Sequence, residues 1–481
     1  MQRFAISSRR RARRRGLATA ALALAATSLA CERATSSAPI ASRLAALGRP
    51  HLVLIVVDTL RPDWTTPYGQ RPDTSPELAR WAARGVVFEQ ARAQSSWTKT
   101  SMASLFTSLW PHTHGVVAPD DGLAAGARTV AELLAEAGYA TCAVQTNGWL
   151  HPSFGFHQGF ERYVFPTSGA AARLPKPMIW PHADRVVEEA ARLIRGRDRA
   201  RPLFLYLHFM DVHEYAAPRE FKRFGSGARG DYLAAIRWVD DALERVRIEL
   251  DRAGLLDQTI VILASDHGEA FGENGRQGHA RNVLTAAVWV PLVIRFPFAS
   301  DPIRIRAQVR NVDIAPTLLA LAGAPQPPDL EGRSLLPLLA GANAQPPAAT
   351  DRPSFASLET RLYADASIQR SVSDGSWLYA RNAGADASPA ELLFDRGVDP
   401  GENVNLIDLE PRAARRLRAL LEAEITRTPR DGVRAAGVSI DPSIAERLRA
   451  LGYLPQAPTP ARAQRSEAVL EAHPAGDVGE R

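Results

Sequence analysis

Residues 52–58 read Leu-Val-Leu-Ile-Val-Val-Asp, six apolar residues, four of them β-branched, running straight into a carboxylate. The run does not alternate with polar residues, so both of its faces have to be buried. That is the signature of a strand inside a parallel sheet covered on two sides. Working outward, a helix is signalled by Ser75-Pro76 at its start and Gly85 past its end. Thr129-Val130-Ala131-Glu132 is a capping box whose helix stops at Gly138. Strands are predicted at 139–145, 203–209, 260–264 and 292–296. Helices are predicted at 183–194, 231–253 and 313–322, the last two closed by Gly254 and Gly323. This alternation over some three hundred residues implies an α/β fold of three layers, with a mostly parallel central sheet and helices on both faces.

After residue 345 the period changes. Short segments at 354–358, 371–372, 377–379 and 392–394, punctuated by Asp and Gly, predict a small C-terminal antiparallel sheet. Helices follow near 412–426 and 442–451. Residues 456–481, rich in Pro, Ala, Glu and Arg, read as a disordered tail. The expected domains are an export signal over 1–30, a linker over 31–49, a catalytic domain over 50–345, an α+β subdomain over 346–455 and the tail over 456–481. No internal repeat is found.

The 481 residues are 46% apolar and 23% charged, enough for a large core. The net charge of +6 is concentrated at one end. Seven arginines and no acid lie within residues 1–15, so without them the balance is 6 − 7 = −1. A near-neutral body argues against nucleic acid as a partner. The arginines precede an apolar run over 17–30, too short to span a bilayer comfortably, which marks an export signal and a place in the periplasm or cell envelope. The run ends Ser-Leu-Ala-Cys, so Cys31 is a candidate lipid anchor and membrane tether, although Ser28 stands where leucine is usual. Ser8-Arg9-Arg10 hints at twin-arginine export. Cys142 is then the one other cysteine, and it reads as a small buried hydrophobe.

Ligands of open α/β sheets gather outside the carboxyl ends of the strands. Three predicted strand ends carry suitable chemistry: Asp58-Thr59-Leu60-Arg61, His208-Phe209-Met210-Asp211-Val212-His213 and Ser265-Asp266-His267-Gly268-Glu269. A fourth segment, 95–115, reads SSWTKTSMASLFTSLWPHTHG and carries Thr98 just before a short helix, with Thr100 or Ser101 placed to cap it. A hydroxyl beside exposed backbone N–H groups suits an anionic ester. Asp58, Asp266 and His267, with Thr98 Oγ1 as fourth donor, form an oxygen and nitrogen set suited to one divalent ion: Ca, Mg, Mn or Zn. Such an ion lowers the pKa of the Thr98 hydroxyl and neutralises an ester oxygen. Arg61 either reaches an anion or pairs with a carboxylate. Lys99 either assists a phosphate or is solvated. His112 and His114 shape the turn after the helix. Asp211 with His213 is a weaker candidate for a second metal.

Residues 98–108 resemble the nucleophile segment of the sulfatase family within the alkaline phosphatase superfamily, Cys/Ser/Thr-x-Pro-Ser-x-Ala-x-Leu-x-Thr-Gly. Thr98 takes the nucleophile place, followed in register by Ser101, Ala103, Leu105 and Thr107. Thr100, Met102 and Ser108 depart from the proline, arginine and glycine of the formylglycine enzymes. The resemblance therefore implies no formylglycine at 98 and leans to the phosphoryl-transfer branches. Residues 56–63 (VVDTLRPD) are similar to the family's first metal-binding strand and residues 265–269 (SDHGE) to its metal pair. By the same resemblance His213 contacts substrate or leaving group, and His279 lies at the anionic group. DIAPTLLALAG, LEGRSLLPLLAG and ELLFDRGVDPGENVNL extend the likeness over about 51–455. The expected activity is hydrolysis of a phosphate or sulfate ester of a small molecule, glycan or lipid. A phosphoglycerol or phosphoethanolamine transferase would share these residues, but such enzymes carry membrane helices ahead of the domain, and none is found here. An inactive binding module of the same fold is the third reading.

Overall fold

The computed structural model describes residues 39–70, 73–166, 183–298, 300–340, 352–360, 362–363, 366, 368–383, 389–427, 433–440 and 442–450. The expected export signal, Cys31, residue 451 and the tail lie outside the described residues, as does the change of period near 345. The chain divides into a compact unit up to Ile440 and a second from Asp441. The second contributes one described helix, Pro442–Ala450.

The expected linker proves partly helical: α1 spans Ile40–Ala46, an alanine- and leucine-rich run entered from Pro39. There follow β1 (His51–Val57), α2 (Pro76–Ala82), β2 (Gly85–Arg92), α3 (Thr98–Thr107), α4 (Val130–Glu136), β3 (Ala140–Val144) and β4 (Arg162–Val164). Next come α5 (Ala183–Arg195), β5 (Leu203–Phe209), α6 (Gly227–Arg252), β6 (Thr259–Ala264), β7 (Trp289–Arg295), β8 (Ile303–Arg310) and α7 (Ile314–Ala322). The eight strands form one sheet in the order β8-β2-β7-β6-β1-β5-β3-β4. All neighbours are parallel except at β7, which runs antiparallel to both β6 and β2. The fold is thus the expected mixed, mostly parallel sheet.

β1 sits near the centre, with Leu54 opposite Tyr206 on one side and Ile262 on the other. Every one of Leu52–Val57 is fully buried. Val53, Ile55 and Val57 share one core with Leu205 and Leu207 of β5 and with α2, α5 and α6. The intervening residues face the opposite layer, because strand side chains alternate. There Phe106 of α3 meets Tyr206 of β5 edge-on at 5.0 Å. The two helical layers are therefore distinct, and α3 belongs to the second.

The small sheet is β9 (Ser354–Leu358), β10 (Ile368–Asp374), β11 (Trp377–Ala383) and β12 (Glu391–Asp395), antiparallel throughout. Helix α8 (Pro411–Ile425) closes its own core by setting Ala414, Leu417 and Leu421 against Val372, Tyr379 and Leu393.

Candidate active site

Four chain segments deliver their polar residues to the carboxyl edge of the large sheet. Asp58 follows β1, Asp266 and His267 follow β6, His208 closes β5, and Thr98 opens α3 after β2. The turn after β6 is tightly specified. Ser265 Oγ donates to His267 O at 2.7 Å and accepts from Leu60 N at 2.9 Å. Gly268 is required by a close approach, since a Cβ there would stand 2.2 Å from Ala286 O. These contacts place Asp58 and Asp266 side by side without exposure to solvent.

Asp58 Oδ2 accepts from Asn147 Nδ2 at 2.8 Å and from His208 Nε2 at 3.1 Å. His208 Nδ1 meets the Tyr206 hydroxyl at 2.7 Å, so a Tyr206–His208–Asp58 chain orients the carboxylate. Asp266 Oδ1 accepts from Thr59 N at 3.2 Å and His267 N at 2.9 Å. The other oxygens, Asp58 Oδ1 and Asp266 Oδ2, are buried with no hydrogen-bond partner. His267 Nδ1 faces the carbonyl of Gly268 at 3.0 Å. A carbonyl only accepts, so Nδ1 carries the proton and the Nε2 lone pair faces the carboxylates, 3.4 Å from Asp266 Oδ2 and 3.7 Å from Asp58 Oδ1.

Burial alone would raise Asp58, but the His208 hydrogen bond and the fields of His213 and His267 hold it below the ordinary carboxylate range. Asp266 is pushed up, by burial and then by the charge of Asp58. Two buried carboxylates with one orphaned oxygen each, and an imidazole lone pair beside them, are what a divalent cation satisfies. Asp58, Asp266 and His267 offer ligand atoms within 4.8 Å of one another, and among the described residues no other such group is found. The donors fit the ion expected from sequence.

Thr98 Oγ1 lies beside this set, 3.2 Å from His267 Nε2, 3.4 Å from Asp58 Oδ2 and 3.4 Å from Asn147 Nδ2. It is the first residue of α3 rather than a residue before the helix, and neither Thr100 nor Ser101 caps that helix. Thr100 Oγ1 bonds Val116 O instead, and Ser101 Oγ bonds Asp266 O, tying α3 to the turn that carries the metal pair. The first N–H groups of α3 thus lack a side-chain cap beside the Thr98 hydroxyl.

Two histidines border the set. The His279 ring stacks on His267 at 4.8 Å and stands 4.7 Å from His213. His279 Nδ1 pairs with Glu269 Oε2 at 3.2 Å, while Nε2 is buried with no hydrogen-bond partner. Burial lowers His279 despite Glu269. His213 shows the opposite balance. Burial lowers it, but its hydrogen bond to Glu214 and the charges of Asp58, Glu214 and Glu269 raise it to about 9. These carboxylates favour the protonated imidazole.

The other expectations fare differently. Arg61 is held by both oxygens of Asp63, by Glu273 at 2.6 Å and by Glu269 O at 2.9 Å, so its guanidinium pairs with carboxylates instead of waiting for an anion. Lys99 is neither solvated nor turned to a phosphate. Its ammonium donates to Pro119 O at 2.8 Å and lies 3.7 Å over the Phe154 ring, where burial lowers it to about 7 despite Asp121 and Asp120. His114 does shape the turn after α3, by bonding Ser104 Oγ and Val116 N. Asp211 accepts from Ala183 N and Trp238 Nε1, both at 3.0 Å, which ties the strand end to α5 and α6. Asn147 is not singled out from sequence, and His208 is quoted there only within its strand end, without a role. Their signal was position, for both are polar residues at or just past the carboxyl ends of buried strands.

Comparison with known proteins agrees with this geometry. The family described as Sulfatase matches residues 50–324, and that described as N-sulphoglucosamine sulphohydrolase, C-terminal, matches 276–428. Arylsulfatase K of Mus musculus is 26% identical over 430 residues, 74% of this chain and 76% of that protein. Steryl-sulfatase of the same organism is 34% identical over 273 residues, 50% of this chain but only 43% of the relative's length. A solved structure in complex with its substrate D-glucosamine-2-N,6-O-disulfate superimposes with a TM-score of 0.65 at 18% identity, over 78% of this chain and 97% of that one. With more than half of its length matched by the family and the fold shared, the chain belongs to the sulfatase family of ester hydrolases.

Proposed function

We propose that this chain is an exported, metal-dependent hydrolase of phosphate or sulfate esters in which Thr98 is the nucleophile and phosphorus the preferred centre. The observation carrying this reading is the buried Thr98 hydroxyl within 3.4 Å of Asp58, His267 and Asn147. Asp58, Asp266 and His267 would hold a divalent ion, which would supply positive charge favouring the Thr98 alkoxide and an anionic ester oxygen. Asn147 Nδ2 donates to Thr98 Oγ1, and the Thr98 hydroxyl has two acceptors within reach, Asp58 Oδ2 and His267 Nε2. Attack forms the Thr98 O–P bond and breaks the bond from phosphorus to the leaving oxygen. His213, whose protonated form Glu214 and Glu269 favour, gives its proton to that oxygen. His279 Nδ1 gives its hydrogen to Glu269, so His279 Nε2 carries a lone pair that can accept from a donor on the ester or from water. Water then attacks phosphorus and gives its proton to His213, left neutral by the first step, while the bond from phosphorus to Thr98 Oγ1 breaks and that oxygen recovers the proton it lost on attack.

Phosphorus is preferred for a chemical reason. A formylglycine enzyme discharges its sulfated intermediate by expelling sulfate from a geminal diol. Thr98 carries one hydroxyl on Cβ, so its ester leaves only through attack at the central atom, a step that electrostatic stabilisation assists well at phosphorus. Protein made without a maturation enzyme should hydrolyse an aryl phosphate or phosphodiester faster than an aryl sulfate. Thr98→Ala should lower the rate by orders of magnitude and Thr98→Ser should keep part of it. A preference for the sulfate, or a rate indifferent to Thr98→Ala, overturns the assignment. An inactive binding module would hold the ion yet show no turnover dependent on Thr98.

The seven arginines before residue 16 and the apolar run over 17–30 support export to the envelope. Fractionation should place the full chain there, and release from membranes by Cys31→Ser would assign the lipid anchor. A cytoplasmic wild type would remove the export reading.

A further inference from the structure

A second polar cavity, of about 290 Å³, opens where the large sheet meets the β10–β11 hairpin. One water needs roughly 10–15 Å³ of comparable space, so the cavity has room for a polyatomic ligand. Its walls carry three arginines: Arg92 at the end of β2, Arg306 on β8 and Arg396 just after β12. Gln90 and Gln308 line it between them.

Arg92 is the informative one. It is 3% exposed, and only Nη2 has a partner, Gln90 Oε1 at 2.7 Å. Its Nε and Nη1 are buried with no hydrogen-bond partner. A guanidinium stays protonated in proteins, so these are two charged donors without an acceptor, an arrangement that is costly unless an anion completes it. Arg396 is held in place by neutral groups alone, with Nε on Ser376 O at 3.1 Å and Nη2 on Ser373 Oγ and Gly375 O, both at 2.7 Å. Gly375 adopts a positive φ of 59° in the turn that supplies this carbonyl. Arg306 is largely exposed and faces Glu89 Oε2 at 3.7 Å. Glu402, a buried acid whose field reaches Arg92 and Arg396, spends both oxygens on the backbone and hydroxyl of Thr285. Burial and the field of Arg396 push Arg92 down, against the pull of Glu402. Asp395 also acts on Arg396, but no carboxylate is among the residues that line the cavity.

We propose that this cavity is a second anion-binding site that takes a tetrahedral dianion, sulfate or phosphate, either free or carried as a group on a larger molecule. Arginine forks match two oxygens of such an anion, and a buried fork with two idle donors is preorganised for one. The site is separate from the Thr98 set and does not depend on the reading of Thr98 as nucleophile. Arg92 precedes Thr98 by six residues on the same segment, at the same edge of the sheet.

Titration calorimetry of the full chain with inorganic phosphate and inorganic sulfate tests the site. The Thr98→Ala protein should still bind one anion in this cavity. Adding Arg92→Met should weaken that binding at least tenfold, and Arg306→Ser, an exposed change that leaves the fold intact, severalfold. Crystals soaked in tungstate should show the heavy atom between Arg92 and Arg396. No anion there at millimolar tungstate, or affinity unchanged in both Arg92→Met and Arg306→Ser, overturns the proposal. If Arg92→Met does not fold, Arg306→Ser and the tungstate position decide it. A rise in KM confined to esters with a second anionic group would assign the occupant to the substrate. Equal KM values in the presence of bound phosphate would assign it to the free anion.

Discussion

At the scale of single residues, the decisive feature is a pair of buried carboxylates that should repel each other. Asp58 and Asp266 each use one oxygen within the protein and leave the other unpartnered, and the charge of Asp58 helps push Asp266 up. A protein gains nothing from such a pair unless a cation joins it, because an unpaired buried charge costs several kcal/mol. Elemental analysis of the purified chain should therefore find close to one divalent ion. Asp266→Ala should lose it, since His267 and a single carboxylate leave too few anionic donors. Full occupancy in that variant would disprove the assignment. The ion should also add stability by mass action, so a chelator should lower the melting temperature of the wild type and leave Asp266→Ala unmoved.

At the scale of elements, α2 shows how a helix can start without its expected cap. Ser75 precedes Pro76, yet its side chain makes no capping bond. Its hydroxyl accepts from Thr66 N instead. The orphan N–H groups of Glu77 and Leu78 are taken by Asp240 of α6, at 2.9 and 2.8 Å. Burial raises Asp240 from 3.8 to about 7, against the lowering by those two N–H groups and by Arg237. The folded pKa exceeds the unfolded one, so this group's contribution to stability is full below about pH 4 and is lost as the pH rises to 7. The loss amounts to roughly a few kcal/mol. Asp240→Asn removes that titration. Urea midpoints should show the variant gaining on the wild type between pH 4.5 and 7.5, whereas a constant difference would mean that Asp240 is ionised throughout. The same elements show what the sequence reveals. Leu52–Val57, the capping box at Thr129 and the strand-end carboxylates are legible because each signal is local. β2 was missed because Glu89 and Gln90 interrupt its apolar run. β8 was missed although Ile303-Arg304-Ile305-Arg306 alternates as an edge strand should. His208 acts through Asp58, and Asn147 through Asp58 and Thr98, long-range contacts that no local pattern encodes.

At the scale of the molecule, the small sheet is fastened to the segments that carry the site. Gln308 Nε2 of β8 donates to Arg352 O at 2.8 Å and Ser373 O at 2.9 Å, and its Oε1 accepts from Ser373 Oγ at 2.6 Å. Val283 N donates to Gln369 Oε1 of β10 at 2.7 Å, four residues after His279. Ser357 N of β9 donates to Gln94 O at 2.9 Å, four residues before Thr98. All of these groups belong to the compact unit that ends at Ile440. Separating the two sheets would strand buried donors and acceptors at about 1–3 kcal/mol each, so neither sheet should melt alone. Thermal unfolding followed by near-ultraviolet and far-ultraviolet dichroism should give one coincident transition for this unit. A chain cut at residue 345 should fail to fold, because Val283, Gln308 and Gln94 lose their partners together. Gln369→Ala removes one tie only. It leaves Val283 N–H buried without an acceptor, should cost about 1–3 kcal/mol, and should lower turnover by loosening the segment that carries His279. Two separated melting transitions, or full turnover from the chain cut at 345, would show that the small sheet is an independent appendage.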